Sequence, residues 1–165
     1  MQIPIKVDYG VRALVDLARC TQKGPVRAAD IARRATIPEP YLAQVLHTLN
    51  KSGLIQSQRG PHGGHALAMD PSEIRLSMVM DCLVGSQTMV GCLEDTSRCV
   101  HVPACAQREV WRSVEQAIYN ILHTTSIGDL VERTRVLELK HGESKRGESK
   151  RGLKSPSERL DPVAV

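Results

Sequence analysis

At 165 residues, 41% apolar and 24% charged, the chain has the size and composition of one globular domain with an appendage. One Trp, three Tyr and no Phe exclude a single-strand nucleic-acid reader built on stacked rings, and no apolar run nears the roughly 20 residues that cross a bilayer. The charge is uneven: residues 1–69 carry nine Lys and Arg against four Asp and Glu, and residues 70–140 carry seven against ten, so the basic front half suits a polyanion.

Charges at Lys6, Asp8, Arg12 and Asp16 leave no apolar signal-peptide core, so a cytoplasmic protein with no membrane partner is expected. Val7, Val11, Leu14 and Ala18 recur at helical spacing and predict a first helix over about 5–20, with Gly24-Pro25 ending the segment. A second helix is predicted over 28–35, its inner face formed by Ala28, Ile31, Ala32 and Ala35. Pro38 stops it, because proline disfavours helical geometry in the residue before it. A third helix follows over about 39–51, with Pro40 tolerated in the first turn, Leu42, Val45, Leu46 and Leu49 as the buried stripe, and Gly53 as the stop. The period then changes. Residues 54–58 read as a strand, 65–69 as its return, and Arg59-Gly60-Pro61-His62-Gly63-Gly64 as the hairpin tip. Two short helices with a tight break and then a hairpin make a winged helix-turn-helix, closed by a helix near 74–84.

Residues 85–104 show no periodicity, and a loop of that length is uncommon unless functional. The longest helix is predicted over about 104–123. Its stripe of Val110, Val114, Ala117, Ile118, Ile121 and Leu122 is longer than one small domain covers, which reads as a dimerisation helix. Thr125-Ser126-Ile127-Gly128-Asp129 carries a capping-box pattern ahead of one more short helix. Beyond Lys140 GESKR occurs twice, at 142–146 and 147–151, and predicts a solvated, disordered tail. The expected fold is mainly α. A winged helix-turn-helix with a small β-hairpin wing occupies 1–84, a cysteine-bearing loop 85–104, a long dimerisation helix and short terminal helix 105–140, and the tail 141–165.

A helix-turn-helix presents the start of its second helix to the major groove. With Leu42 turned inward, Tyr41 and Gln44 face out, and His47 follows one turn on. Gln pairs bidentately with adenine, and Tyr holds a phosphate or packs on a thymine methyl. Arg59 at the wing tip, among Gly60, Pro61 and Gly63, is placed for a minor groove or a phosphate. Arg33, Arg34 and Lys51 are candidate phosphate contacts.

The chain has five cysteines, and a cytosolic setting argues against disulfides. Cys20 and Cys82 sit alone in apolar helical patterns and read as small buried hydrophobes. Cys92-x6-Cys99-x5-Cys105 places three thiols ahead of a helix start, a set that suits a soft metal or an iron–sulfur cluster. The same residues with His101 also compose a Cys3His zinc set, although without a C-x2-C knuckle, and a metal-free thiol sensor stays open. An enzyme using Cys99 or Cys105 with His101 lacks a third orienting residue and an oxyanion loop, so no enzyme is expected.

The segments VDYGVRALVDLA, PEPYLAQVLHTLNKSGLI and RGPHGGHALA resemble the IscR/NsrR-type repressors, the Rrf2 family, in the same order of elements over residues 1 to about 140. The resemblance implies a homodimeric winged-helix transcription factor on a palindromic operator. In iron–sulfur members it implies a three-cysteine loop whose cluster sets DNA binding, here Cys92, Cys99 and Cys105. The first cysteine interval is one residue longer than the family's usual one, and the histidine that supplies a fourth ligand in the IscR branch is replaced by Arg108. In the NsrR branch an acidic residue of the partner subunit completes a 4Fe–4S cluster. Asp8 falls on that position, with His101 as second choice. Three cysteines and one carboxylate suit 4Fe–4S over 2Fe–2S because one iron is then distinct. His65 stands where the family often has Tyr, and Ala43 where iron–sulfur members often carry a polar residue.

Overall fold

The computed structural model describes residues 3–20, 24–60, 63–85, 88 and 90–151, with residues 98 and 142–151 as backbone only. The chain divides into two compact units, residues 1–131 and 132–165.

In the first unit, helices α1 (Ile5–Arg19), α2 (Ala28–Ala35) and α3 (Glu39–Lys51) pack on one another. Their predicted stripes face the core, with Val11, Ala18, Ala28 and Ala35 only partly buried at its edge and Leu17 joining it from outside the predicted set. Leu14, Leu17, Ile31, Leu42, Leu46 and Leu49 are buried, and burial of each such side chain contributes about 1.5–3 kcal/mol. The break between α2 and α3 turns on Thr36, whose φ of 55° is left-handed, and Ile37 donates its N–H to the Ala32 carbonyl at 2.9 Å. Strands β1 (Ile55–Gln58) and β2 (Gly64–Leu67) pair antiparallel, Ile55 against Leu67 and Gln58 against Gly64. The return strand therefore starts one residue earlier and ends two earlier than the alternation suggests. An isolated bridge between Val26 and His65 anchors this wing to the stretch before α2. A Cβ on Gly64 would lie 2.5 Å from the Val26 carbonyl oxygen, so only glycine permits that approach.

Helix α4 (Leu76–Val84) closes the core through Val79 and Leu83. It lies so near α1 that a Cβ on Gly10 would sit 2.5 Å from a Leu83 methyl. After α4 the chain is less featureless than its lack of period suggests. It forms α5 (Gly91–Glu94) and two single-turn 3-10 helices, Thr96–Arg98 and Val102–Ala104. These are too short to show a repeat in sequence. Helix α6 (Ala106–Thr124) follows, with Cys105 as its N-cap residue.

The end of α6 is tied to the start of α4. Arg75 donates through a guanidinium N–H to the Thr124 carbonyl at 3.1 Å, the Leu76 N–H to the Thr125 carbonyl at 3.0 Å, and the Ile127 N–H to the Ile74 carbonyl at 2.9 Å. Ser126 and Asp129 form the reciprocal capping box: the Ser126 N–H donates to the Asp129 carboxylate at 2.8 Å and the Asp129 N–H to Ser126 Oγ at 3.0 Å. These bonds hold the Asp129 carboxyl below its usual range, the Ser126 hydroxyl contributing most. The helix they start, α7 (Ile127–Arg151), is not short. Its backbone continues through 141–151, the stretch read from sequence as a disordered tail, because Glu, Lys and Arg favour helix without any apolar stripe. Residues 152–165 lie outside the described residues.

Candidate nucleic-acid interface and metal centre

Helix α3 begins in a proline-bounded first turn, Pro38 at its N-cap and Pro40 just inside. With Leu42 and Val45 buried, Tyr41, Gln44 and His47 project outward, and Tyr41 is 58% exposed. Tyr41 also makes an edge-to-face contact with Tyr9 of α1, ring centroids 6.4 Å apart. Beside that contact a cavity of about 230 Å³ opens between the two helices, lined by Lys6, Tyr9, Gln44 and Thr48 among others. Sequence reasoning misses Tyr9, since an isolated Tyr beside a helical stripe carries no signal of its own.

The candidate phosphate contacts differ in their freedom. Arg34 is committed within the protein. Its Nε and terminal N–H groups donate to the two Asp16 carboxylate oxygens, both at 2.8 Å, joining α2 to α1 and pushing the guanidinium pKa further up. Arg33 is exposed and pairs with Asp30, one turn back, at 3.1 Å. Lys51 is exposed in the last turn of α3, and Arg59 is exposed beside Gly60, whose φ is 116°. Gly63 donates its N–H to the Gly60 carbonyl at 2.9 Å, closing the wing tip, whereas Pro61 lies outside the described residues. At the wing base the Ser57 hydroxyl and His65 Nδ1 lie 2.9 Å apart, and burial pushes the His65 pKa down.

All five thiols are free and half-buried. Cys82 packs against the core, where burial raises its pKa, and Cys20 lies at the end of α1. Cys92 sits at the start of α5, Cys99 just after the first 3-10 turn and Cys105 at the start of α6. The carbonyl of Cys92 accepts a hydrogen bond from Arg108 Nε at 3.1 Å. His101 is exposed between Cys99 and Cys105. Asp8, in the first turn of α1, is held by Arg12 at 2.8 Å, an exposed i,i+4 pair worth about 0.3–0.5 kcal/mol. Three reduced thiols on one segment are the donor set a soft metal or an iron–sulfur cluster takes. Among the described residues no three His, Cys, Asp or Glu side chains converge on a metal position. The chemistry of the donors fits such a group, and a complete site requires the segment to close and a further donor to arrive.

Residues 3–133 match the Rrf2 family, described as iron-dependent transcriptional regulators. The chain belongs to the Rrf2 family. It is 32% identical over its whole length to 98% of the HTH-type transcriptional regulator IscR of Aliivibrio salmonicida. It is 33% identical over 131 residues, 79% of this chain and 87% of the relative, to protein rrf2 of Nitratidesulfovibrio vulgaris. Among solved structures, CymR, the global cysteine regulator of B. subtilis, matches with a TM-score of 0.70 at 30% identity, covering 81% of this chain and 98% of its own. The IscR of T. potens matches with a TM-score of 0.67 at 30% identity, covering 81% and 88%. This Rrf2 chain is thus a winged helix-turn-helix DNA-binding transcriptional regulator, and its relatives are regulators, not enzymes. Among its described residues no helix is long and apolar enough to cross a membrane.

Proposed function

We propose that this Rrf2 regulator is a homodimeric repressor of a palindromic operator. Its DNA binding responds to an iron–sulfur cluster on Cys92, Cys99 and Cys105, with Asp8 of the partner subunit as the fourth donor. The observation that carries the reading is the set of three free, half-buried thiols on one segment leading into the N-terminus of α6. The family's description as iron-dependent supports an iron centre. The weak Arg12 pairing leaves Asp8 available as a donor, and His101 is the alternative. With three Cys and one carboxylate, 4Fe–4S is favoured over 2Fe–2S.

When bound, such a cluster supplies an oxidant- and nitric-oxide-sensitive link between subunits, which also lets it report iron–sulfur status. The chain's own residues carry the response. Asp8 and Tyr9 are neighbours on α1, and Tyr9 touches Tyr41 at the start of α3. A shift of α1 is therefore felt at the helix that presents Gln44 and Tyr41 to base edges, with His47 and wing residues Arg59, Pro61 and Gly63 beside them. Arg33 and Lys51 flank the groove as phosphate contacts, and Arg34, paired with Asp16, holds α2 in place for them. Two half-sites about 34–36 Å apart do not tolerate displacements of a few ångströms.

Anaerobic purification with a visible spectrum, iron and sulfide analysis and a DNA-binding titration tests this. A brown protein with iron and acid-labile sulfide, whose operator affinity changes on oxidation, is expected. A colourless chain that carries zinc, or stays metal-free after reconstitution, would overturn it. Asp8→Ala should load less stably than wild type. Identical clusters and identical oxidant response in the two proteins would exclude Asp8.

A further inference from the structure

Cys92 and Cys105 stand at opposite ends of the cysteine segment, and one residue reaches both. Arg108, in the first turn of α6, donates its side-chain Nε–H to the Cys92 carbonyl at 3.1 Å across sixteen residues. Its backbone N–H donates to the Cys105 carbonyl at 3.2 Å. Among the described residues the segment also carries local bonds: Leu93 to Val90, Asp95 to Gly91, Ser97 to Asp95, Val102 to Cys99 and Ala104 to His101. Such bonds shape individual turns and leave the spacing between turns open. The Arg108 side chain closes the larger loop, from a helix whose far end is fixed to α4. Arg108 is half-buried, and its side chain is a planar fork of donors. It also stands at the helix end where the backbone dipole is positive.

We propose that Arg108 is a positioning residue that brackets the cysteine segment, holding Cys92 toward the α6 terminus that carries Cys105 and setting a permanent positive charge beside the thiols. The identity of what the thiols hold rests on the reading above. The bracket itself does not.

Full-length wild type, Arg108→Ala, Arg108→Lys and Arg108→Gln separate the two roles. In metal-free protein, hydrogen exchange of amides 91–99 is expected to rise about tenfold in Arg108→Ala, the loss of one charge-assisted hydrogen bond, while exchange in α1–α4 stays at wild-type rates. After anaerobic reconstitution with ferrous iron and sulfide, Arg108→Ala should retain several-fold less iron. Any cluster it keeps should have a lower midpoint potential, because a neighbouring cation favours the reduced, more negative form. Arg108→Lys restores the potential. Arg108→Gln keeps a donor and restores segment protection better than Ala, but not the potential. Unchanged exchange together with unchanged iron retention in Arg108→Ala overturns the proposal. A wild type that takes up no cluster while Arg108→Ala still loosens 91–99 overturns the cluster reading and upholds the bracket.

Discussion

Arg34 and Asp16 lie eighteen residues apart and meet through two 2.8 Å hydrogen bonds, while Arg33, one residue before, pairs with Asp30 of its own helix. The pair is partly exposed and therefore screened, so its contribution is about 1 kcal/mol despite the bidentate geometry. Arg34→Ala should lower Tm by a few degrees. Arg33→Ala should leave Tm within experimental error and weaken DNA binding at all sequences. It should also reduce the slope of log K against log salt by about 0.9 for each phosphate that is no longer neutralised. A thermal melt and a salt titration on both variants check this, and an unchanged melt for Arg34→Ala would show that the pair contributes nothing. His65 gives a second prediction at this scale. Burial disfavours its charged form, so its folded pKa lies below the unfolded value of about 6.5. As pH falls through that value the unfolded chain takes up the proton first, and stability present above it is lost. Wild type should melt lower at pH 5.5 than at pH 7.5, and His65→Gln should show a smaller drop between the same two pH values.

Helices α1 to α4 and the wing were readable because their apolar residues repeat with the period of the element that buries them. The α2–α3 break was readable because Pro38 restricts the residue before it. What escaped has no period to read. The turns between Gly91 and Ala104 are shorter than one repeat, and α7 extends past Lys140 along a sequence with no apolar period. In the candidate interface, the outward side of α3 followed directly from its inward stripe. The Arg34–Asp16 and Arg108–Cys92 contacts did not, since both join residues that only the folded chain brings together. Two glycines set a prediction at this scale. Gly10→Ala pushes a Cβ against the end of a Leu83 side chain, which can turn aside, and alanine returns up to about 1 kcal/mol of helix propensity. Gly64→Ala meets the Val26 carbonyl oxygen and carbon at 2.5 and 2.6 Å, backbone that cannot turn aside. Both should destabilise, Gly64→Ala by more, with overpacking costs of about 1–3 kcal/mol. Urea denaturation of the two variants gives the order, and equal midpoints would contradict it.

Within residues 1–131, α6 packs on α4 with part of its surface and buries none of its side chains fully. Val110 is 58% and Ile121 62% exposed, and Tyr119 stacks on His123 in the open. Between α4 and α6 lies a groove of about 650 Å³ lined by Met80, Ile118 and Leu122 among others. Exposed apolar surface of this extent marks an association site. Val110→Glu combined with Ile121→Glu should convert the proposed dimer to a monomer in sedimentation equilibrium. It should also lower operator affinity by orders of magnitude, because half-site binding then loses its linkage. A variant that remains dimeric would move the interface off this face.

The three bonds that tie the end of α6 to the start of α4 make that end a fulcrum. From it the helix extends nineteen residues, about 28 Å at 1.5 Å per residue, to the cysteines at its other end. A tilt of about five degrees at the pivot then sweeps the cysteine end through roughly 2.5 Å. The arm thus gives the thiol segment slack that the core lacks. Cys92 travels with that end, because Arg108 near the tip of the arm holds its carbonyl.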